Sequence, residues 1–324
     1  MLSFEEILQE VETEIKNIPL DYPPKGLFDP IEYILSLGGK RIRPALALMA
    51  CNIYNDNIEK SIKPALGMEV FHNFTLLHDD LMDEADKRRN KPTVHKVWDA
   101  NTAILSGDAM LIIAYQLIGQ TDPAYLKAIF DLFTQTALEI CCGQQYDMEF
   151  ENRTHVTEAE YLEMIRLKTA VLLACCLKSG AILGGASAQD AQHLYDFGIN
   201  IGLAFQLQDD LLDVYGDTKT FGKNIGGDIT VNKKTFLLIN ALERASENQR
   251  EILSNWIAQE EFDADEKIAI FTHIYNELNI RSLTEAKMKE YYATGLQHLD
   301  ALKAPAERLD ILKEVCNKLM YRKL

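Results

Sequence analysis

Leu77-His78-Asp79-Asp80-Leu81-Met82-Asp83 and Leu207-Gln208-Asp209-Asp210-Leu211-Leu212-Asp213 are two copies of one pattern, LxDDLxD, in a chain of 324 residues. The apolar residues around each copy recur at helical spacing, so both copies are read as helix. On a helix, residues three and four apart lie one turn apart, which puts Asp79, Asp80 and Asp83 on one face and Asp209, Asp210 and Asp213 on another. Like charges on one face repel and cost helix stability. Leucines beside them (Leu76, Leu77, Leu81; Leu207, Leu211, Leu212) anchor the same helices in a core. Carboxylates at the wall of a core need a counter-charge. A hard divalent cation such as Mg²⁺ supplies one, because it takes one or two carboxylates, keeps water and bridges to phosphate. A single copy is weak and reads more readily as a solvated acidic face. Two copies in matching apolar surroundings point to a metal site.

Working outward, the proline pattern extends the helical reading. Of nine prolines, eight lie between Pro19 and Pro123, and none recurs until Pro305. A long stretch without proline favours long helices. Helical runs are predicted over residues 4–18, 30–37, 44–54, 64–85, 102–120, 124–150, 157–184 and 187–216, with further helices over 234–321. Residues 86–93 form a polar loop, and a Gly/Asn-rich loop follows the second aspartate copy up to Asn232. No segment alternates strongly enough to suggest a sheet. The absence of a linker or low-complexity run predicts one all-α domain over residues 1–324.

Acidic residues number 49 against 33 basic ones, a formal charge of −16. That balance argues against a nucleic-acid or anionic-membrane partner. It does not exclude an anionic substrate, since metal ions reverse the local sign. The apolar stretch Thr169–Ala186 contains Lys178 and reads as a buried helix, with no integral membrane segment expected. The N-terminus has no signal-peptide core. Six cysteines without CxxC spacing, including the pairs Cys141-Cys142 and Cys175-Cys176, read as small core residues of a cytoplasmic protein. Basic residues flank both aspartate copies. Lys40 and Arg43 follow Gly38-Gly39, Arg88-Arg89 follow the first copy, and Lys223 and Lys233-Lys234 follow the second. Arg makes forked contacts to phosphate and Lys acts as a point charge. Carboxylates for magnesium beside cations for phosphate suggest a diphosphate site.

These motifs, in this order from Gly38 to Thr235, resemble the trans-type polyprenyl diphosphate synthase family, which includes farnesyl and geranylgeranyl diphosphate synthases. The resemblance implies the isoprenoid synthase fold: ten or more mostly antiparallel helices around a central cavity, usually as a homodimer. It implies that Asp79, Asp80, Asp83, Asp209, Asp210 and Asp213 face each other and hold three Mg²⁺ on an allylic diphosphate (dimethylallyl, geranyl or farnesyl). Arg88, Lys168, Lys223 and Lys233 would bind that diphosphate. Lys40, Arg43, His72 and Arg89 match positions for isopentenyl diphosphate. Thr169 and Gln206 match positions near the reacting carbons, and Asp228 an acidic residue after the second motif. The implied reaction ionises the allylic carbon–oxygen bond, joins the isopentenyl double bond to the cation and loses a proton. It requires no protein nucleophile, in keeping with the lack of a Ser/His/Asp or Cys/His triad. His78 and His95 match no catalytic position. Asn90 and Asn232 stand where family members commonly have Gly, and Asn is the residue most tolerant of positive φ after Gly.

In the resembling family, residues just before the first motif line the tunnel for the growing tail. Thr75 lies one helical turn below Asp79, Phe74 next to it, and Phe71 two turns below. Bulky phenylalanines at that depth predict an early stop, at fifteen or twenty carbons with twenty favoured. Plain core packing is the other reading of both. A long-chain synthase for quinone side chains would usually carry a small residue in place of Phe74. A terpene cyclase would carry a different second metal motif. A non-catalytic partner subunit or a helical metal-binding scaffold would be expected to lack some motif residues, and none is missing.

Overall fold

The computed structural model describes residues 1–216 and 225–320. It is an all-α protein, and its elements run α1 (Phe4–Lys16), α2 (Lys25–Ser36), α3 (Ile42–Tyr54), α4 (Glu59–Met82), β1 (Lys87–Arg88), β2 (Lys91–Pro92), α5 (Val94–Val97), α6 (Ala100–Ile118) and α7 (Pro123–Asn152). Then come α8 (Glu158–Ile165), a π turn (Arg166–Ala170), α9 (Val171–Gly184), α10 (Ala188–Tyr215), α11 (Gly227–Thr230), α12 (Phe236–Arg244), α13 (Glu247–Ile257), α14 (Ala264–Glu277), α15 (Ile280–Asp300) and α16 (Ala306–Met320).

The predicted helices are present, with instructive shifts at their ends. The predicted ranges begin at Pro30 and Pro64, yet both prolines sit inside α2 and α4, in the second turn. Both prolines are buried, and that packing offsets the one backbone hydrogen bond each removes. The predicted polar loop contains a two-residue antiparallel hairpin, Lys87 opposite Pro92 and Arg88 opposite Lys91. Its loop residues Arg89 (φ 52°) and Asn90 (φ 63°) both have positive φ, the requirement of a tight hairpin turn. Strands this short carry no alternation to read.

The chain forms two compact units. The first comprises Met1–Gln135, Leu172–Tyr195 and Ala301–Val315. Here α1 packs on α3, α3 on α4, and α4 and α2 on α6. Helix α3 is buried from Pro44 to Ile53. Gly180 and Gly184 allow α9 to touch it. A Cβ on Gly180 would lie 1.9 Å from the carbonyl oxygen of Ala47, and one on Gly184 2.6 Å from that of Cys51. The second unit comprises Thr136–Val171, Asp196–Asp300 and Cys316–Leu324. In it α12 packs on α8, α14 and α15, and α14 also on α11.

Among the described residues, two helical stretches, Ala100–Ile118 and Glu158–Gly184, are long and apolar enough to cross a membrane. In the second, 72% of the apolar window is buried, as expected of a core helix, against 39% in the first. None of the six cysteines forms a disulfide. Cys51, Cys175, Cys176 and Cys316 are buried, whereas Cys141 and Cys142 are exposed on α7, contrary to the core reading of that pair.

Candidate active site

The first cluster lies in the first unit, where α4 carries the first aspartate motif at its C-terminal end. Gly38 (φ 76°), Gly39 (φ 141°) and Arg41 (φ 47°) form a left-handed turn ahead of α3. The turn leaves Lys40 exposed and Arg43 half-buried while Arg41 points inward. Arg43 donates from Nη1 to His72 Nε2 at 3.0 Å. A guanidinium always donates, so this bond requires a neutral His72 with Nε2 as acceptor. Burial, followed by the charges of Arg43, Arg89, Arg88 and Arg41, holds the His72 imidazole well below its usual range. Such a group makes folding less favourable once acid protonates it in the unfolded chain. The stability carried by neutral His72 is therefore present above about pH 6.5 and is lost as pH falls below it. Urea unfolding of the wild type and His72→Gln should diverge only on that acid side. The glycine at 39 is required here: a Cβ would lie 2.8 Å from Arg89 Nη2. The turn and the hairpin thus bring Arg89 against the Lys40 loop.

The three aspartates of the motif are not equivalent. Asp80 is 3% exposed and accepts a 2.7 Å bond from Arg88 Nε. Arg88 Nη2 also lies 3.9 Å from Asp79 Oδ2. Asp79 is half-buried and Asp83 exposed. Burial pushes the Asp80 carboxyl up, against the pull of Arg88. Asp80 therefore positions Arg88, while Asp79 and Asp83 present carboxylate outward.

The second cluster lies in the second unit and repeats this division for its first two members only, since Asp213, the counterpart of the exposed Asp83, is buried. Asp210 is 4% exposed, accepts from the Tyr161 hydroxyl and from the Phe236 backbone N–H at 3.4 Å, and accepts from Gln206 Nε2 at 3.3 Å. Burial, and then the charge of Asp228, pushes its carboxyl up to about 7. Thr169 Oγ1 donates to Gln206 Oε1 at 3.3 Å, so Thr169, Gln206 and Asp210 form one chain. Asp213 accepts from the backbone N–H of Asp228 at 3.0 Å, which ties α11 back to α10. Asp209 is half-buried.

Lys168 sits in the π turn, a device concentrated at functional sites. Its Nζ lies 2.7 Å from Asp147 Oδ2, and Lys233 Nζ reaches the same oxygen at 3.9 Å. Burial opposes the charge of Asp147, but Lys233 and Lys168 prevail and hold its carboxyl low. Gly143 makes the geometry possible: a Cβ there would lie 2.4 Å from the Lys168 backbone nitrogen. Asn232 has φ 56°, the turn expected of its family counterpart glycine. Its side chain adds something glycine lacks, since Oδ1 accepts from the fully buried Lys267 at 2.7 Å. Lys223 lies outside the described residues.

Sequence reading missed Asp147, Tyr161 and Gly143. Asp147 stands among Glu149 and Glu151 on the same helix, and nothing local marks it. Among the tunnel residues, Phe71 is 1% exposed and packs edge-on against Phe133 (centroids 5.2 Å apart) and tilted against Phe74 (5.5 Å). Phe74 is half-buried and meets His78 edge-on at 4.8 Å. Thr75 is half-buried and donates to the His72 carbonyl.

The polyprenyl synthetase family model matches residues 24–275. A short chain isoprenyl diphosphate synthase of Methanothermobacter thermautotrophicus is 39% identical over 298 residues, covering 91% of this chain and 87% of the relative. A geranylgeranyl diphosphate synthase of Methanosarcina mazei is 35% identical over 300 residues, covering 92% of this chain and 87% of the relative. The crystal structure of a geranylgeranyl pyrophosphate synthase superposes with a TM-score of 0.95 at 42% identity, covering 100% of both chains.

Proposed function

Since the chain belongs to the polyprenyl synthetase family, we propose that it is a magnesium-dependent short-chain trans-prenyltransferase. It condenses isopentenyl diphosphate with an allylic diphosphate to give farnesyl or geranylgeranyl diphosphate. The observation that carries this reading is the division of labour within both aspartate motifs. In each, the central carboxylate is buried on a protein partner (Asp80 on Arg88, Asp210 on Tyr161), while its predecessor (Asp79, Asp209) remains partly open.

Asp79 and Asp83 in the first unit, and Asp209 in the second, each offer open carboxylate oxygen of the kind a hard cation takes. Bound there, Mg²⁺ would neutralise charge on the allylic diphosphate and make it a better leaving group. Lys168 and Lys233, drawn together by Asp147, and Arg88, oriented by Asp80, would bind the same diphosphate. Lys40, Arg43 and Arg89 would hold isopentenyl diphosphate, with His72 fixing the Arg43 fork. The allylic carbon–oxygen bond breaks, both electrons leaving with the diphosphate. The isopentenyl double bond then forms the new carbon–carbon bond, and the proton is lost to the released diphosphate. The Thr169 hydroxyl and the Gln206 amide, bonded to each other, would stand near the reacting carbons and stabilise developing positive charge with their dipoles. Apolar surroundings would keep water from quenching the cation.

Phe74, backed by Phe71, would form the floor that stops the tail, and twenty carbons is the favoured product. Phe74→Ala should lengthen the product by at least one isoprene unit; unchanged length would remove Phe74 as the floor. Ile104, Leu105 and Ile112 on α6 and Phe130 on α7 are exposed, and a second copy of the chain would cover them, as sedimentation can establish. The deciding experiment incubates the protein with isopentenyl diphosphate, Mg²⁺ and each allylic primer in turn, then weighs the products by mass spectrometry. No condensation with any primer refutes the reading, and a series past twenty-five carbons refutes the short-chain assignment.

A further inference from the structure

Three cations, Lys40, Arg41 and Arg43, crowd one short turn, and nothing in their spacing separates Arg41 from the other two. The structure does. Arg41 is 4% exposed, with its guanidinium turned away from its neighbours and into the first unit. Its Nη1 donates to Glu69 Oε1 at 2.9 Å, its Nε to Glu12 Oε1 at 2.9 Å, and its Nη2 to the Leu35 carbonyl at 2.6 Å. One side chain thus ties α1, α2 and α4 to the turn that opens α3. Glu69 is 3% exposed and is itself clamped by Asn73 Nδ2 at 3.1 Å. The backbone of Arg41 is left-handed at φ 47°, a strained state for a side chain larger than glycine. Surrounding structure must over-determine such a residue, and two buried contacts, to Glu69 and Leu35, with a part-buried one to Glu12 do so.

The arrangement has two parallel rungs between the same two elements. Arg41 meets Glu69 in the interior, and Arg43 meets His72 one helical turn further along α4. The inner rung sets the height and register of the outer one. We propose that Arg41 is a positioning residue for the isopentenyl substrate: locked onto Glu69, it holds the turn against α4 so that Lys40 and Arg43, the latter fixed by His72, converge on one diphosphate. This rests on the assignment of Lys40 and Arg43 to isopentenyl diphosphate. Burial works against the Arg41 charge, but Glu69 and Glu12 outweigh it and the group stays ionised.

The test measures calorimetric binding of isopentenyl diphosphate alone, with steady-state kinetics for both substrates. The variants are Arg41→Lys, the charge-neutral pair Arg41→Met/Glu69→Leu, and the controls Lys40→Ala and Arg43→Ala. Lysine keeps the charge but has no fork to reach three acceptors. In Arg41→Lys and the double variant, Kd and KM for isopentenyl diphosphate should rise about tenfold or more, with kcat and the allylic KM within about threefold. Parallel rises in both KM values, or no rise, overturn the proposal and leave Arg41 a purely structural residue. If the double variant fails to fold, Arg41→Lys alone decides. If the two controls bind isopentenyl diphosphate as tightly as the wild type, the assignment of that subsite fails instead. Weakened controls beside an unaffected Arg41→Lys overturn the anchor only.

Discussion

Asp209→Asn should lower kcat by about 10³-fold at saturating Mg²⁺ while leaving the urea midpoint unchanged or slightly raised. Asparagine matches aspartate in shape but carries no charge, so the change removes the carboxylate proposed to bind metal while keeping the side chain's size. Asp209 stands one residue before Asp210 and four before Asp213 on the same helix, and relief of like-charge repulsion favours the folded state. Asp210→Asn should behave differently. Asp210 is buried and accepts from Tyr161, Gln206 and the Phe236 N–H, so an amide nitrogen in its place would face a donor. The expected result is a loss of stability of about 1–3 kcal/mol with a smaller fall in kcat. Equal kinetic effects at the two positions would show that both carboxylates bind metal, and would defeat the division of labour read from their burial. Steady-state kinetics over a range of Mg²⁺ concentrations, beside urea unfolding, makes the comparison.

Gly143→Ala should damage activity and stability together. The new Cβ would lie 2.4 Å from the Lys168 backbone nitrogen and 2.8 Å from the Leu167 carbonyl carbon. Those are backbone atoms, so no side-chain rotation relieves the clash. Either α7 or the π turn must move, at a cost of about 1–3 kcal/mol. The displaced group is Lys168, whose Nζ shares Asp147 with Lys233. A shift of about 1 Å at a positioned cation costs on the order of 10²-fold in rate. Retained kcat/KM with a lowered urea midpoint would mean that the helix yields and the lysine does not. Loss of both is the expected pattern.

The departures from the sequence reading share a cause. Two prolines at the start of predicted ranges proved to be buried inside α2 and α4, because tertiary packing outweighs one missing N–H. Helix 157–184 was read as continuous, and its periodicity is unbroken. Its π turn arises where α7 presses a glycine against Lys168, a contact between residues far apart in the chain. Asn90 and Asn232 could be assigned to left-handed turns from residue type alone, since φ preference is local. The bond from Asn232 to the buried Lys267 could not, because Lys267 resembles any other lysine in an amphipathic helix.

Helical periodicity, the proline gap and two LxDDLxD faces sufficed for an all-α chain with paired carboxylate clusters and flanking cations. Spacing of three and four residues fixes which side chains share a helix face, and that is a property of the backbone alone. Depth is not. Only tertiary packing decided that Asp80 and Asp210 turn inward while Asp79 and Asp209 stay open, that Arg41 is buried where Lys40 is exposed, and that Asp147 joins Lys168 to Lys233. Each of those outcomes depends on which distant residue comes to lie opposite, because desolvation and pairing are set by neighbours in space, not by neighbours in sequence.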